Sequence, residues 1–178
     1  MIKKTNRNQT NFDVVAGIKE NLEYYMVNCR RNNFSDTDMN LNRFTEAQET
    51  VYPQVLRELK NGKKTSHWMW FIFPQIEGLG YSATARYYSI KGITEASEYM
   101  AHPILGARLL ECANIILEIE GKTANDIFGY PDNIKLKSSM TLFNSVAPEC
   151  NVFADVLKKY FSGEQDEQTL SILKKEIE

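Results

Sequence analysis

Residues 94–121 read TEASEYMAHPILGARLLECANIILEIEG, and the placement of apolar residues in this stretch decides the fold class. Leu105, Leu109, Cys112, Ile116 and Ile119 recur at steps of four and three, the spacing at which side chains stack along one face of an α-helix. Thr94 is a candidate N-cap for a shorter helix that must end before Pro103, because proline disfavours helical backbone in the residue preceding it. Gly121 closes the longer helix.

The same period extends in both directions. LNRFTEAQETVYPQVLRELKNGKK, residues 41–64, carries Leu41, Phe44 and Gln48, then Tyr52, Val55, Leu56 and Leu59, with Pro53 placed to break or restart the helix and Gly62 to end it. TANDIFG (123–129) supports a turn or two, Asp132 is a candidate cap for a helix through 146, and NVFADVLKKYFSG (151–163) repeats the amphipathic pattern. A last helix is expected from about Glu167, carrying Leu170 and Leu173. Alternation of β-branched residues scarcely occurs, so the sequence predicts a mainly α, multihelical single globular domain with an N-terminal helical extension. WMWFIF (68–73) is an unbroken apolar run that periodicity alone does not assign, and its helical neighbours favour helix.

The extension covers residues 1–40. Val14, Ile18, Leu22 and Tyr25 mark a helix within 12–30, and NNFSDTDMN (32–40) has the composition of a linker before the domain at 41–178. A chain of 178 residues, 43% hydrophobic and 25% charged, is sized for one sizeable core. A net charge of −2 argues against general nucleic-acid binding. The opening MIKKTNRNQTNF lacks the apolar stretch of a secretory signal, and no segment has the ~20 apolar residues of a membrane span, so a cytoplasmic protein is expected. Cys29, Cys112 and Cys150 lack C-x-x-C spacing and the only histidines are His67 and His102, so neither a metal site nor a cofactor is expected.

Chemistry concentrates in KKTSHWMWFIFPQIEGLGYS, residues 63–82. Two tryptophans two residues apart on a helix point in different directions, so one of Trp68 and Trp70 can face the core and the other a cleft. Core filling is the competing reading for all the aromatics. Gln75, Gly78, Gly80 and Ser82 then form a loop with accessible backbone N–H groups beside an amide and a hydroxyl, suited to a polar ring or a phosphate. GLGYSA (78–83) matches G-x-G-x-x-A without the strand and helix context of a dinucleotide site. The second constellation is PDNIKLKSSMTLFNSV (131–146): Lys135, Ser138, Ser139 and Leu142 fall on one side of a helix, Leu136, Met140 and Phe143 on the other. Ser138, Ser139 and Thr141 in mid-helix imply either close packing or ligand contact, and Asp132 with Lys135 is also readable as a solvated pair.

SHWMWFIFPQIEGLGYS, YMAHPILGARLLEC and DNIKLKSSMTLF together resemble an uncharacterised bacterial family, the domain of unknown function 1810, sometimes labelled calpastatin. The resemblance spans about residues 41–173 and implies a helical domain, without an activity to carry over. Gly129, Asp132, Lys135 and Met140 to Phe143 are similar in spacing to the closing half of the helical domain named for its links to NAD and ADP-ribose, whose members cleave ADP-ribose from bases or related N-glycosides.

Two classes of function follow. One is a hydrolase acting on a nucleotide or ADP-ribose-type ligand: Trp68 or Trp70 stacks a base, Lys135 and Arg108 meet phosphate, and Asp132, Glu46 or His67 assists water. Gln75, Gly78, Gly80, Ser82, Ser138, Ser139 and Thr141 complete its ligand-binding set. The other is a non-catalytic ligand-binding or protein-interaction module. Absent G-x-S-x-G and P-loop patterns weigh against serine hydrolases and P-loop NTPases. A small nucleotide-like ligand is the expected partner, with self-association through the extension as a further expectation and no membrane partner.

Overall fold

The computed structural model describes residues 41–177, which contain ten helices and no strand. These are α1 (Asn42–Glu49), α2 (Tyr52–Lys60), α3 (Met69–Ile72), α4 (Ala83–Tyr87), α5 (Ile93–Ala101), α6 (Leu105–Glu118), α7 (Ala124–Phe128), α8 (Asp132–Val146), α9 (Asn151–Phe161) and α10 (Glu167–Ile177). The extension expected over 1–40, with its helix in 12–30, lies outside the described residues. No single described helix is long and apolar enough to cross a membrane.

Helix α8 is the hub. It packs against α5, α7, α9 and α10, and burial continues almost around its circumference: Leu136, Met140, Leu142 and Phe143 are fully enclosed, together with Ser138, Ser139 and Thr141. The expected division into a polar and an apolar side therefore fails, since Ser139 and Leu142 are as buried as Met140. Small hydroxyl residues let neighbouring helices approach, and their donors turn inward: Thr141 Oγ1 bonds Lys137 O at 2.9 Å and Ser145 Oγ bonds Thr141 O at 2.8 Å. A second layer is α6, with Leu105, Leu109, Cys112 and Ile116 buried against α2, α5 and α9.

Helix ends depart from the sequence expectation in two places. Thr94 does not cap α5, which starts one residue earlier behind Gly92; the Ile93 N–H donates to Glu176 of α10 and the Lys91 N–H to Glu95. Asp132 is the first residue of α8 rather than its cap, and its carboxylate serves two lysines. Elsewhere local chemistry is legible: Pro53 sits in the first turn of α2, and Thr123 with Asp126 forms a reciprocal capping box on α7. Between α5 and α6 the chain bends by 84°. His102 Nδ1 accepts from the N–H groups of Ile104 and Leu105 there, satisfying donors that a helix start leaves open. The apolar run 68–73 holds a single helical turn, α3.

Buried polar groups tie these layers together. Arg43 of α1 donates to Glu95 of α5 at 2.7 Å and to Ser89 O at 2.9 Å. Glu58 of α2 accepts from Gln54, from backbone and hydroxyl of both Thr65 and Ser66, and from the Trp68 indole at 2.8 Å.

Candidate functional site

Trp68 and Trp70 part company across α3. Trp68 is 1% exposed, with its ring among Phe73 and Phe128 and its N–H spent on Glu58. Trp70 is half-buried and lines a cleft of about 350 Å³. Of the two tryptophans offered for stacking, Trp68 is thus the core-facing one: its donor is bonded to Glu58 and its ring is enclosed by Phe73, Phe128 and the Lys64 side chain.

Besides Trp70 of α3, four segments build the cleft. The loop after α3 brings Gln75, Leu79, Gly80, Tyr81 and Ser82; α4 brings Ala85; the start of α8 brings Tyr130, Pro131, Ile134, Lys135 and Ser138; and the start of α10 brings Asp166 and Gln168. The loop is anchored where Ile90 N–H donates to Gln75 O at 2.9 Å and Glu77 N–H to Ile90 O at 2.8 Å. Ser82 caps α4 by accepting from the Ala85 N–H. Gly80 lies so close to α4 that a Cβ there would come within 2.5 Å of Ala85 Cβ, so the wall requires glycine. At the rim, Tyr81 and Tyr130 are 84% and 80% exposed, an unusual amount of aromatic surface left in water beside a cavity.

Of the residues singled out in the sequence, Trp70, Gln75, Gly80, Ser82, Lys135 and Ser138 meet in this cleft. The others do not. Gly78 turns the loop at φ +99° outside the lining, and Arg108 lies over the Tyr52 ring at 4.5 Å and donates to Gln48. Thr141 is buried, its hydroxyl accepting the Asp166 N–H at 2.9 Å. Ser139 is buried and its Oγ has no hydrogen-bond partner among the described residues. A ligand role for Ser139 is corrected to close packing, and Ser139→Ala is expected to raise stability by about 1 kcal/mol by removing an unsatisfied hydroxyl. Urea unfolding checks this; a loss of stability would show that the hydroxyl has a partner in solution.

The three candidate catalytic groups lie apart from the lining. Glu46 is exposed on α1 and His67 is exposed before α3. Asp132 is not among the lining residues; its Oδ2 meets Lys64 Nζ at 2.6 Å and its Oδ1 meets Lys135 Nζ at 2.7 Å. Burial alone would raise its pKa, but the hydrogen bonds and charges of Lys135 and Lys64 outweigh that and hold it below the usual carboxylate range. It is a weak base held between two ammonium groups: the i, i+3 pair with Lys135 forms, partly buried, and Lys64 is a second partner. Lys135 in turn lies 4.8 Å from the Trp70 ring centroid and Lys64 5.2 Å from that of Trp68.

Sequence reading missed Asp166, the one carboxylate that lines the cleft. Its Oδ2 accepts from the backbone and hydroxyl of Thr169 and so caps α10. The Asp-x-x-Thr spacing just before a helical pattern was the available signal. Tyr81 and Tyr130 carried no signal, because exposure of an aromatic depends on how distant segments assemble. No group of three or more His, Cys, Asp or Glu side chains that could hold a metal occurs among the described residues.

Residues 38–173 match the model of a family described as protein of unknown function (DUF1810). The chain belongs to that family. Among solved structures it is similar to the crystal structure of the conserved hypothetical protein Rv1873 from Mycobacterium tuberculosis, at 44% identity and a TM-score of 0.75, over 76% of this chain and 96% of that one. No curated protein matches.

Proposed function

We propose that the cleft binds a flat, polar, anionic small molecule of the nucleotide or ADP-ribose type. The observation that carries this reading is the Lys135 ammonium held 4.8 Å from the Trp70 ring centroid, in a cleft whose rim is two exposed tyrosines. Aromatic surface suits a base, the ammonium suits a phosphate, and the amides of Gln75 and Gln168 with the hydroxyls of Ser82 and Ser138 suit the edges of a heterocycle or a ribose. The spacing of Gly129, Asp132, Lys135 and Met140 to Phe143, similar to the domain linked to NAD and ADP-ribose, supports the same ligand class.

Binding is the core of the proposal. Cleavage of an N-glycosidic bond needs a carboxylate beside an oxocarbenium-like centre, and at this cleft that group is Asp166 in place of Asp132, Glu46 or His67. A non-catalytic binding module is the second reading, favoured by the use of Asp166 Oδ2 as a helix cap.

Thermal unfolding against AMP, NAD and ADP-ribose tests the proposal. A ligand at 100 times its Kd should add about 2.7 kcal/mol to the apparent stability of the wild type. Trp70→Ala and Lys135→Ala should remain folded and lose that gain. No shift with any of the three compounds would overturn the reading, as would an equal shift in both variants.

A further inference from the structure

The cleft-facing ammonium, Lys135, is shared with Asp132, and Asp132 is shared with a second ammonium, that of Lys64. The three side chains are 7% (Lys64), 17% (Asp132) and 21% (Lys135) exposed, so water screens them weakly and their charges are felt by one another and by anything entering the cleft. Lys64 does not line the cleft. Its backbone N–H is fixed to Ile127 O at 2.7 Å and its ammonium is held over Trp68. A nearly buried lysine is costly unless its charge is used.

Resting on the binding reading above, we propose that Lys64 is a positioning residue that sets the charge of the cleft: by occupying one oxygen of Asp132 it leaves Lys135 with net positive character toward a ligand. Without Lys64, Asp132 and Lys135 would form an isolated, self-cancelling pair. With it, two cations face one carboxylate. Asp166, lining the cleft from the start of α10, adds the second carboxylate and brings the local sum to zero. The site is then neutral with Lys64 and carries one net negative charge without it, so Lys64 decides whether an anion can enter beside the flat ring, and each further charge on the ligand goes uncompensated. The ligand class is therefore a nucleotide of low negative charge, with a monophosphate favoured over a triphosphate.

Calorimetric titration of adenosine, AMP and ATP into the wild type and the variants Lys64→Met, Lys64→Arg and Asp132→Asn tests this. The wild type should bind AMP more tightly than ATP. Lys64→Met should weaken AMP binding about tenfold while leaving adenosine within about twofold, and Lys64→Arg should restore AMP affinity. Asp132→Asn, which leaves both lysines uncompensated, should tighten AMP several-fold and reduce the discrimination against ATP. A merely structural role would weaken all ligands alike in both Lys64→Met and Asp132→Asn. If the wild type binds AMP and Lys64→Met binds it equally, or Asp132→Asn binds it less, the charge-setting role is wrong and the cleft assignment survives. Should Lys64→Met fail to fold, the sign of the Asp132→Asn effect decides. A wild type that binds neither AMP nor adenosine overturns the binding reading and this inference with it.

Discussion

Replacing Glu58 by alanine is expected to lower the unfolding free energy by about 3–5 kcal/mol. Glu58 is 7% exposed, and its two oxygens accept from the Gln54 amide, the N–H and hydroxyl groups of Thr65 and Ser66, and the Trp68 indole. Truncation leaves the buried Trp68 indole N–H without an acceptor, removes the shared anchor of the part-buried Thr65 and Ser66 donors, and frees the segment that leads from α2 into α3 and the cleft. Glu58→Gln keeps the volume but turns a donor toward other donors, and should cost about 2 kcal/mol. Urea unfolding of the three proteins measures this; a loss below about 1 kcal/mol for Glu58→Ala would mean that water replaces the network without cost.

The same group gives a pH signature. Burial on its own would raise the Glu58 pKa, but the hydrogen bonds from Ser66, Thr65 and Trp68 dominate and hold it far below the ordinary range. The folded state then binds fewer protons than the unfolded chain, whose glutamates titrate near 4.3. Its stabilisation is complete above about pH 5 and is lost as pH falls through about 4 toward the folded value. The difference between wild type and Glu58→Gln should therefore shrink on acidification.

Gly106→Ala is the second large effect. Gly106 stands in the first turn of α6, immediately after the 84° bend from α5, and a Cβ there would lie 2.1 Å from Met100 O and 2.9 Å from Met100 C. Both are backbone atoms, so no rotamer relieves the clash. Either α5 and α6 separate, which opens the layer formed by Tyr99, Met100, Leu105 and Leu109, or the bend changes. A cost of at least about 3 kcal/mol, or failure to accumulate folded protein, is expected from an ordinarily mild substitution. A thermal midpoint close to wild type would show that the bend yields easily.

These two residues also show what the sequence conveys and what it withholds. Periodicity reveals α6 and α9 because their burial is one-sided, and the i, i+2 offset of Trp68 and Trp70 already implies that they face different ways. Glu58 is opaque by the same logic: on a helix ending in Arg57 and Lys60 it reads as a solvated charge, and its partners come from a turn whose course only the fold determines. Ser138, Ser139 and Thr141 announce something unusual in α8 without distinguishing packing from binding, and the answer differs by residue. Asp132 carries an N-cap signature, yet Lys64 and Lys135 outbid the backbone for its oxygens. The cleft was half legible, because its loop and helix contain the marked residues, whereas Asp166 and the exposed tyrosines arrive from segments that only tertiary packing brings alongside.

The most direct test of the account uses the two tryptophans of the chain as paired reporters. In proton–nitrogen correlation spectra each gives one indole N–H resonance, and AMP or ADP-ribose can be titrated into the uniformly labelled full chain. The account predicts a saturable shift of the Trp70 indole, which lines the cleft, while the Trp68 indole, bonded to Glu58 in the core, stays in place. If neither resonance moves at millimolar ligand, or if both move together, the cleft is not the ligand site described above.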